Sequence, residues 1–349
     1  MTAERYAVVV PTLGRASLGA CLAALAAGRG PRPERVVLVD DRPLDDCRPL
    51  GVALPPELAE RVVVLDGCGR GPAAARNTGW RAVAEPWVAF LDDDVVPGPT
   101  WAEDLARDLA GAGPRTAAVQ GRIEVPLPAD RRPTDNERGT ARLATACWIT
   151  ADMACRRAAL AAVGGFDERF RRAFREDADL ALRLLDQGWE LTVGNRRTTH
   201  PVRPADRWAS LRAQAGNADD VLMTRLHGRD WWARAQAPRG RFPGHLLTVG
   251  AALGAVAGAA ARRPRPAAAC AAVWAAATAE FALARVLPGP RTRAEVVTMT
   301  ATSALIPFAA TAHWVRGLLR HRRVRPWPQG PEAGEEPAPA AAPEFTRTG

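Results

Sequence analysis

Short apolar runs alternate with Ala- and Leu-rich segments through the first half of the chain. The apolar runs are residues 6–10, 35–39, 61–65 and 86–91, and the intervening helical patterns are residues 18–27, 71–83 and 101–110. This β-α-β-α alternation predicts an α/β fold with a largely parallel sheet and helices on both faces. Ligands bind to such sheets at the carboxyl ends of the strands, so the polar residues that follow each run are the first candidates for a site.

Three consecutive carboxylates, Asp92, Asp93 and Asp94, directly follow the apolar run that ends at residue 91. Like charges this close are costly unless a cation lies among them. Mg²⁺ and Mn²⁺ prefer oxygen ligands and usually keep waters and a phosphate in their shell. The triplet therefore predicts a metal–diphosphate site, and the alternative for an acidic triplet alone is a solvated turn.

The basic residues number 47, all of them arginine, and the formal net charge is +9. One cluster at 262–265 and another at 316–325 adjoin hydrophobic segments, which favours the cytoplasmic face of a membrane with anionic lipids. The sequence has no basic stripe with interleaved aromatic residues, so we expect no nucleic-acid partner. The six Cys have neither Cys-x-x-Cys nor zinc-finger spacing, which indicates free thiols in a reducing compartment, and we expect no signal peptide.

Composition changes near residue 244, where long Ala-rich segments begin. Segments 267–287 and 295–319 are long enough to span a bilayer, and 245–261 is marginal. Two spans at about 267–287 and 296–316 place the basic clusters on one side of the membrane. A soluble Ala-rich helical bundle is the alternative, because Glu280 and Arg285 lie inside the second segment.

These boundaries predict four parts of the chain. They are a domain at 1–228, a linker at 229–244, a hydrophobic helical region at 245–320, and a basic and then disordered Pro/Ala/Glu-rich tail at 321–349. Within the first part, residues 141–154 are predicted to form a strand, and residues 176–187 and 208–226 to form helices.

Six short motifs occur in one order between residues 8 and 180, and together they resemble those of the inverting family 2 glycosyltransferases. The motifs are Val8-Val9-Val10-Pro11-Thr12, Val39-Asp40-Asp41, Gly71-Pro72-Ala73-Ala74-Ala75-Arg76-Asn77, Phe90-Leu91-Asp92-Asp93-Asp94, Gly164-Gly165-Phe166-Asp167-Glu168 and Glu176-Asp177-Ala178-Asp179-Leu180. The resemblance covers about residues 5–225. It implies a GT-A fold, in which a mostly parallel central sheet with helices on both faces binds a nucleotide-diphosphate sugar.

The resemblance also implies roles for the strand-end residues. In the Asp-x-Asp element, Asp94 would ligate Mg²⁺ or Mn²⁺, and Asp92 would face the ribose or the metal shell. His200 matches a third metal ligand, or else is an ordinary surface residue. Asp93, which points to the opposite side of the strand end, is expected to tolerate substitution best. The expected nucleotide-sugar-binding residues are Pro11, Thr12, Asp40, Asp41, Arg76, Asp92 and Asp93.

Glu176 and Asp177 open a predicted helix, where the helix dipole favours ionised acids. By the same resemblance, Asp177 is the catalytic base that accepts the proton of the acceptor hydroxyl, with Glu176 beside it. A single in-line displacement inverts the anomeric centre, so no covalent nucleophile is needed. Asp167 and Glu168 are expected on the acceptor side.

The resemblance implies a metal-dependent transfer of a sugar from a nucleotide donor to a hydroxyl. The expected acceptor is a lipid-linked or cell-envelope glycan, because the hydrophobic C-terminal region would hold the site at the cytoplasmic face of the membrane. Arg207-Trp208 matches part of the Gln-x-x-Arg-Trp motif of processive synthases, but Pro204 replaces the Gln, which favours transfer of one or a few sugars. The alternatives are sugar transfer to polyprenyl phosphate and a non-catalytic sugar-nucleotide-binding or scaffold protein at the membrane. Arg42-Pro43 departs from the family pattern and leaves the nucleoside base open.

Overall fold

The computed structural model describes residues 4–43, 45 and 48–328, and in this part of the chain eight strands form one mixed sheet. The strands are β1 (Tyr6–Thr12), β2 (Arg35–Asp40), β3 (Val62–Asp66), β4 (Trp87–Leu91), β5 (Val96–Pro97), β6 (Thr116–Glu124), β7 (Asp152–Arg156) and β8 (Glu190–Thr199). Their order in the sheet is β3-β2-β1-β4-β7-β6-β8-β5. The first four pair in parallel and so do β6 and β8, whereas β7 is antiparallel to both β4 and β6, and β5 is antiparallel to β8.

Helices cover both faces of the sheet and continue beyond it. They are α1 (Ser17–Ala27), α2 (Pro56–Ala59), α3 (Pro72–Arg81), α4 (Trp101–Ala110), α5 (Asp135–Ala141), α6 (Arg157–Ala162), α7 (Glu176–Asp186), α8 (Ala209–Arg212), α9 (Asn217–His227), α10 (Trp231–Arg234), α11 (Phe242–Ala260), α12 (Pro264–Val286) and α13 (Arg293–Arg320). The predicted α/β class with appended C-terminal hydrophobic helices is confirmed, and the sheet is mixed.

Strand β1 is buried on both faces. Val8 and Val10 pack with α1 and α4, and Val9 packs on the opposite face with α3 and α7. Two-sided burial explains why the parallel strands read as continuous apolar runs. On the α3 side, a Cβ at Gly79 would lie 2.3 Å from Val9 Cγ1, so glycine is what lets α3 pack this closely on the strand.

The strand predicted at residues 141–154 is wrong. Residue 141 ends α5, a 3₁₀ turn follows at Arg142–Thr145, and only Asp152–Arg156 forms a strand. A helix begins earlier because Thr134 and Glu137 form a reciprocal capping box, which stabilises a helix start at that position. The predicted helix at 208–226 is also interrupted, by a 3₁₀ turn at Ala213–Gly216.

The C-terminal region consists of α11, α12 and α13, which are all long and apolar enough to cross a membrane. Helix α13 packs against α9, where a Cβ on Gly317 would lie 2.9 Å from Ala218 Cα. By contrast, the most apolar stretch of α12 has no buried residue. The first hydrophobic helix starts at Phe242, inside the segment predicted as a linker.

Candidate active site

A cavity of about 970 Å³ opens at the carboxyl ends of β1, β2 and β4. The N-terminus of α7 and the loop after β8 close it from the other side. Most of the residues predicted from the sequence line it: Pro11, Thr12, Asp41, Arg76, Asp92, Asp93, Asp94, Glu176, Asp177 and His200. Segments far apart in the chain therefore meet in one cavity, as the position of the strand ends predicts.

Asp93 lies in the floor of the cavity and is only 1% exposed. Its Oδ2 accepts hydrogen bonds from Thr12 Oγ1 at 2.7 Å and from the Leu13 amide at 3.3 Å. Its Oδ1 pairs with Arg15 Nη1 at 2.7 Å. These bonds tie the turn after β1 to the end of β4, so the expectation that Asp93 tolerates substitution best does not fit its surroundings.

Arg76 is a buried bridge between the strand-end acids and α7. Its Nη2 donates to Asp92 Oδ1 at 2.7 Å, and its Nη1 donates to Glu176 Oε1 at 3.0 Å. Both terminal nitrogens are thus engaged by protein carboxylates. The guanidinium links the part of the cavity expected to bind the donor to the part expected to hold the catalytic base.

Glu176 and Asp177 begin α7, after Arg175 in the left-handed conformation with φ +77°. Burial and the adjacent Asp177 raise the pKa of Glu176 to about 8, and the opposing effect of Arg76 is smaller. Burial likewise raises the pKa of Asp177 above its ordinary value. A carboxylate with a raised pKa is a better proton acceptor, as a general base requires.

Arg175 is held in its strained conformation from outside the cavity. Its Nε donates to Asp220 Oδ1 at 2.8 Å, and its guanidinium lies over the rings of Phe174 and Trp231. Positive φ at a non-glycine residue costs free energy and persists where surrounding contacts enforce it. These contacts therefore fix the direction in which α7 enters the cavity.

Asp94 faces two basic side chains from the segment that follows β8. Arg203 Nε lies 2.9 Å from Asp94 Oδ2, and His200 Nε2 lies 3.8 Å from Asp94 Oδ1. Burial and the neighbouring Asp92 raise the pKa of Asp94. The predicted proximity of Asp94 and His200 is therefore seen, and Arg203 is an additional partner.

Asp94 and His200 together offer an oxygen and a nitrogen donor. Within the described residues, no group of three or more His, Cys, Asp or Glu side chains is arranged to hold a metal ion. Mg²⁺ is nevertheless commonly held by one or two protein ligands, with waters and substrate phosphates completing its shell. The donor pair fits a cation of that kind.

Asp41 lies on the β2 side of the cavity. Its two carboxylate oxygens accept hydrogen bonds from the amides of Arg70 and Gly71, both at 2.9 Å. Gly71 has φ +97°, and a Cβ there would lie 2.7 Å from Arg171 O, so the turn requires glycine. Asp40 lies outside the cavity lining and pairs with Arg42 at 2.6 Å.

The two residues predicted on the acceptor side, Asp167 and Glu168, also lie outside the cavity lining. Asp167 pairs with Arg169 at 2.6 Å, and Glu168 accepts from Asn77 Nδ2 at 3.0 Å. Asn77 also bonds both backbone polar groups of Phe166, each at 2.9 Å. The Gly-Gly-Phe-Asp-Glu turn thus fastens the chain to α3.

Several arginines in the cavity lining were missed by the sequence reasoning. They are Arg15, Arg70, Arg171, Arg172, Arg203 and Arg212. Guanidinium groups pair well with phosphate oxygens, so their presence suits a diphosphate ligand. Among 47 arginines, none of them carried a distinguishing local pattern.

Comparisons with known proteins show what the first half of the chain is similar to. The glycosyl transferase family 2 model matches residues 7–160. The pre-mycofactocin glycosyltransferase of Mycobacterium tuberculosis is 34% identical over 178 residues, which cover 45% of this chain and 35% of that protein. The validoxylamine A glucosyltransferase of Streptomyces hygroscopicus subsp. limoneus is 35% identical over 114 residues, which cover 32% of this chain and 25% of that protein.

The matched stretch spans about a third or less of the length of these curated relatives. Among solved structures, S. aureus TarS 1-349 aligns over 92% of both chains at 14% identity, with a TM-score of 0.43. The family match at residues 7–160 includes the cavity-lining residues at the ends of β1, β2 and β4. Residues 7–160 of this chain are therefore similar to the glycosyl transferase family 2 model.

Proposed function

We propose that this protein transfers a sugar from a nucleotide-diphosphate donor to a hydroxyl acceptor, with inversion at the anomeric carbon. One observation carries the proposal: a single cavity contains both the Asp92–Asp94 group and Asp177, joined through Arg76 and Glu176. A direct displacement needs a site for the leaving diphosphate and a base for the attacking hydroxyl, and the cavity offers residues suited to both tasks.

Asp177 is the proposed base. Its raised pKa suits it to accept the proton of the acceptor hydroxyl as that oxygen attacks the anomeric carbon. Glu176, whose pKa is about 8, is mostly neutral at pH 7 and so limits the negative charge beside Asp177. Arg76 keeps Glu176 in place through its contact at 3.0 Å.

Asp94 and His200, with Asp92 beside them, are the proposed holders of Mg²⁺ or Mn²⁺. A divalent cation held there would supply positive charge to neutralise the departing nucleoside diphosphate. Arg203 already contacts Asp94 at 2.9 Å and is placed to pair with a phosphate oxygen. Thr12 and Asp41 line the cavity at the ends of β1 and β2, where we place the nucleoside.

The proposed acceptor is a lipid-linked or cell-envelope glycan at the cytoplasmic face of the membrane. Three apolar helices adjoin the catalytic domain, and basic clusters flank them, which favours that face. Similarity to two glycosyltransferases supports sugar transfer, and one of the two is a glucosyltransferase, which supports a hexose donor.

Donor identity is tested by thermal shift with UDP-, GDP- and dTDP-sugars, each with and without Mn²⁺. Ligand stabilisation grows with concentration relative to the dissociation constant, so the true donor should raise the melting temperature most. The shift should depend on Mn²⁺. If no sugar nucleotide stabilises the protein in a metal-dependent way, metal-dependent transfer is wrong.

The base assignment is tested with Asp177→Asn and the matched control Asp186→Asn, which lies at the other end of α7 and pairs with Arg234. Release of nucleoside diphosphate is measured with a membrane lipid extract as the acceptor source. Asp177→Asn should slow transfer by roughly 100-fold or more while donor binding persists, and Asp186→Asn should stay near wild type. Equal rates in Asp177→Asn and wild type would remove Asp177 as the base.

The products and the binding data also test the two alternatives, which are sugar transfer to polyprenyl phosphate and a non-catalytic binding or scaffold protein. A sugar linked to polyprenyl phosphate would identify a phosphate acceptor in place of a hydroxyl. Donor binding by wild type without any transfer would instead support a binding or scaffold protein.

A further inference from the structure

Arg285 is a buried charge near the end of α12, a largely apolar helix. Arg285 is only 8% exposed, whereas no residue in the most apolar stretch of α12 is buried. Its Nη1 donates to Thr302 Oγ1 at 2.8 Å and to Ser303 Oγ at 3.1 Å, both on α13. A buried charge in a hydrophobic helix is costly and is usually found where it has a specific task.

The other terminal nitrogen of Arg285 reaches the catalytic domain. Nη2 donates to Asp135 Oδ2 at 2.8 Å and to Ser210 Oγ at 3.0 Å. Asp135 begins α5 and Ser210 lies in α8. One guanidinium therefore joins α12 and α13 to two separate elements of the domain, and its planar fork suits such shared contacts.

Helix α5 depends on polar contacts of this kind, because it has no buried residue. Besides the bond from Arg285, Arg138 Nη2 donates to the Arg285 carbonyl at 2.8 Å. The Asp135 amide donates to Glu295 Oε1 of α13 at 2.9 Å. Three hydrogen bonds thus tie α5 to the corner between α12 and α13.

From α5 the contacts continue into the cavity. Asn136 Nδ2 donates to the Arg203 carbonyl at 3.1 Å, and Arg203 Nε contacts Asp94 at 2.9 Å. Asn136 and Thr140 of α5 line the cavity, as do Ala209 and Arg212 of α8. The loop that carries His200 and Arg203 is therefore held on one side by α5 and at its end by α8.

We propose that Arg285 is a positioning residue for the cavity wall, defined here as α5, α8 and residues 200–208. The wall presents His200 and Arg203 to Asp94. The hydrophobic region is then a part of the catalytic unit as well as an anchor. The catalytic consequence rests on the proposed sugar transfer, whereas the physical claim about the wall does not.

Hydrogen–deuterium exchange of the full chain in detergent micelles tests the physical claim. Arg285→Met should speed exchange of the cavity-wall amides at 134–143 and 200–212 by roughly tenfold, with β1 and β2 unchanged. The matched control is Arg241→Gln, which breaks a pair with Glu280 between α11 and α12 without touching the wall. Wall exchange equal to wild type in a folded Arg285→Met protein would overturn the proposal.

If Arg285→Met does not fold, a second variant tests whether Arg285 positions the cavity wall. Asp135→Asn weakens the α5 end of the contact and leaves Arg285 bonded to Thr302 and Ser303. Faster exchange at 134–143 supports the proposal, and unchanged exchange there refutes it.

The enzymatic measurement is separate. With the donor found by the thermal-shift screen, Arg285→Met should weaken Mn²⁺-dependent donor binding, whereas Asp177→Asn should leave wall exchange and donor binding intact. If the wall exchanges faster in Arg285→Met but wild type transfers no sugar, the proposed function is wrong and the positioning role of Arg285 stands. Unchanged donor binding despite a loosened wall would overturn the catalytic consequence.

Discussion

The three consecutive carboxylates differ in what they touch, although the sequence presents them as equals. Asp92 is bonded to Arg76, Asp93 to Thr12 and Arg15, and Asp94 faces Arg203. Alternation along the chain indicates only that Asp93 points away from its neighbours. It does not reveal that the turn after β1 folds over that side and makes it an interior position.

Substituting these acids one at a time should separate structure from ligand binding. Asp93→Asn removes the charge partner of Arg15 and should lower the free energy of unfolding by about 1–3 kcal/mol. Asp94→Asn should leave it unchanged or higher at pH 7, because the raised pKa of Asp94 means that folding disfavours its ionised form. Urea denaturation without ligand measures both. If the free energy of unfolding is higher for Asp93→Asn than for Asp94→Asn, the contacts described for these two residues do not determine their stability.

Glu176 should make stability depend on pH. Its pKa is about 8 in the folded protein against an ordinary value of 4.5, so the folded state binds the proton more tightly. The resulting stabilisation is complete below about pH 4.5 and is lost as the pH rises through about 8. Glu176→Gln keeps a neutral side chain throughout, so its free energy of unfolding should fall less than that of wild type over this range.

Urea denaturation between about pH 5 and about pH 8.5 compares Glu176→Gln with wild type. Glu57→Gln, an exposed residue of α2, is the control and should follow the wild-type curve. Parallel curves for Glu176→Gln and wild type would show that Glu176 titrates near its ordinary value.

At the scale of elements, the parallel half of the sheet could be predicted and the antiparallel half could not. Strands β1, β2 and β4 read as continuous apolar runs because both of their faces are buried. Strand β7 begins with Asp152, a fully buried acid that bonds Arg196 at 2.7 Å and Trp101 at 2.8 Å. A polar residue satisfied by distant partners gives no local strand signal, so the sequence pattern places the strand too early, at residues 141–154.

Helix α7 is also held by a distant element that the sequence did not reveal. Asp179, two residues beyond the proposed base, accepts hydrogen bonds from His227 at 2.8 Å, Arg183 at 2.7 Å and Trp327 Nε1 at 3.1 Å. Trp327 follows α13 and also lies beneath the guanidinium of Arg169. The segment after the hydrophobic helices therefore supports α7 from its outer side.

Trp327→Phe should cost about 1 kcal/mol of stability, because it removes the indole hydrogen bond to Asp179 and keeps an aromatic ring. Trp327→Ala should cost more, since the packing against the buried cluster around Leu226 is also lost. Urea denaturation measures both. Trp208→Phe, at a partly exposed indole in the cavity-wall loop, is the control and should have a smaller effect. Equal stability of all three variants would argue against the brace.

For the whole molecule, burial distinguishes among the hydrophobic helices. One third of the most apolar stretch of α13 is buried in the protein, against none for α12 and 11% for α11. Helices α11 and α12 pack closely on each other, since a Cβ on Gly254 would lie 2.9 Å from Cys270 Sγ. Small residues at such contacts are typical of helix pairs in membranes. We therefore expect α11 and α12 to be the pair that enters the bilayer, whereas the sequence favoured 267–287 and 296–316.

Vesicle flotation tests this expectation with the double variant Leu253→Asp, Val256→Asp. These side chains on α11 are 62% and 69% exposed, so the change should preserve the fold while placing charge in the apolar surface. Binding to vesicles of phosphatidylcholine and phosphatidylglycerol should fall by roughly 100-fold, since each buried charge costs several kcal/mol in a bilayer. Val64→Asp, at an exposed apolar residue of β3, is the matched control and should bind like wild type. Undiminished flotation of the double variant would show that α11 does not enter the bilayer, and α12 with α13 would then be the inserting pair.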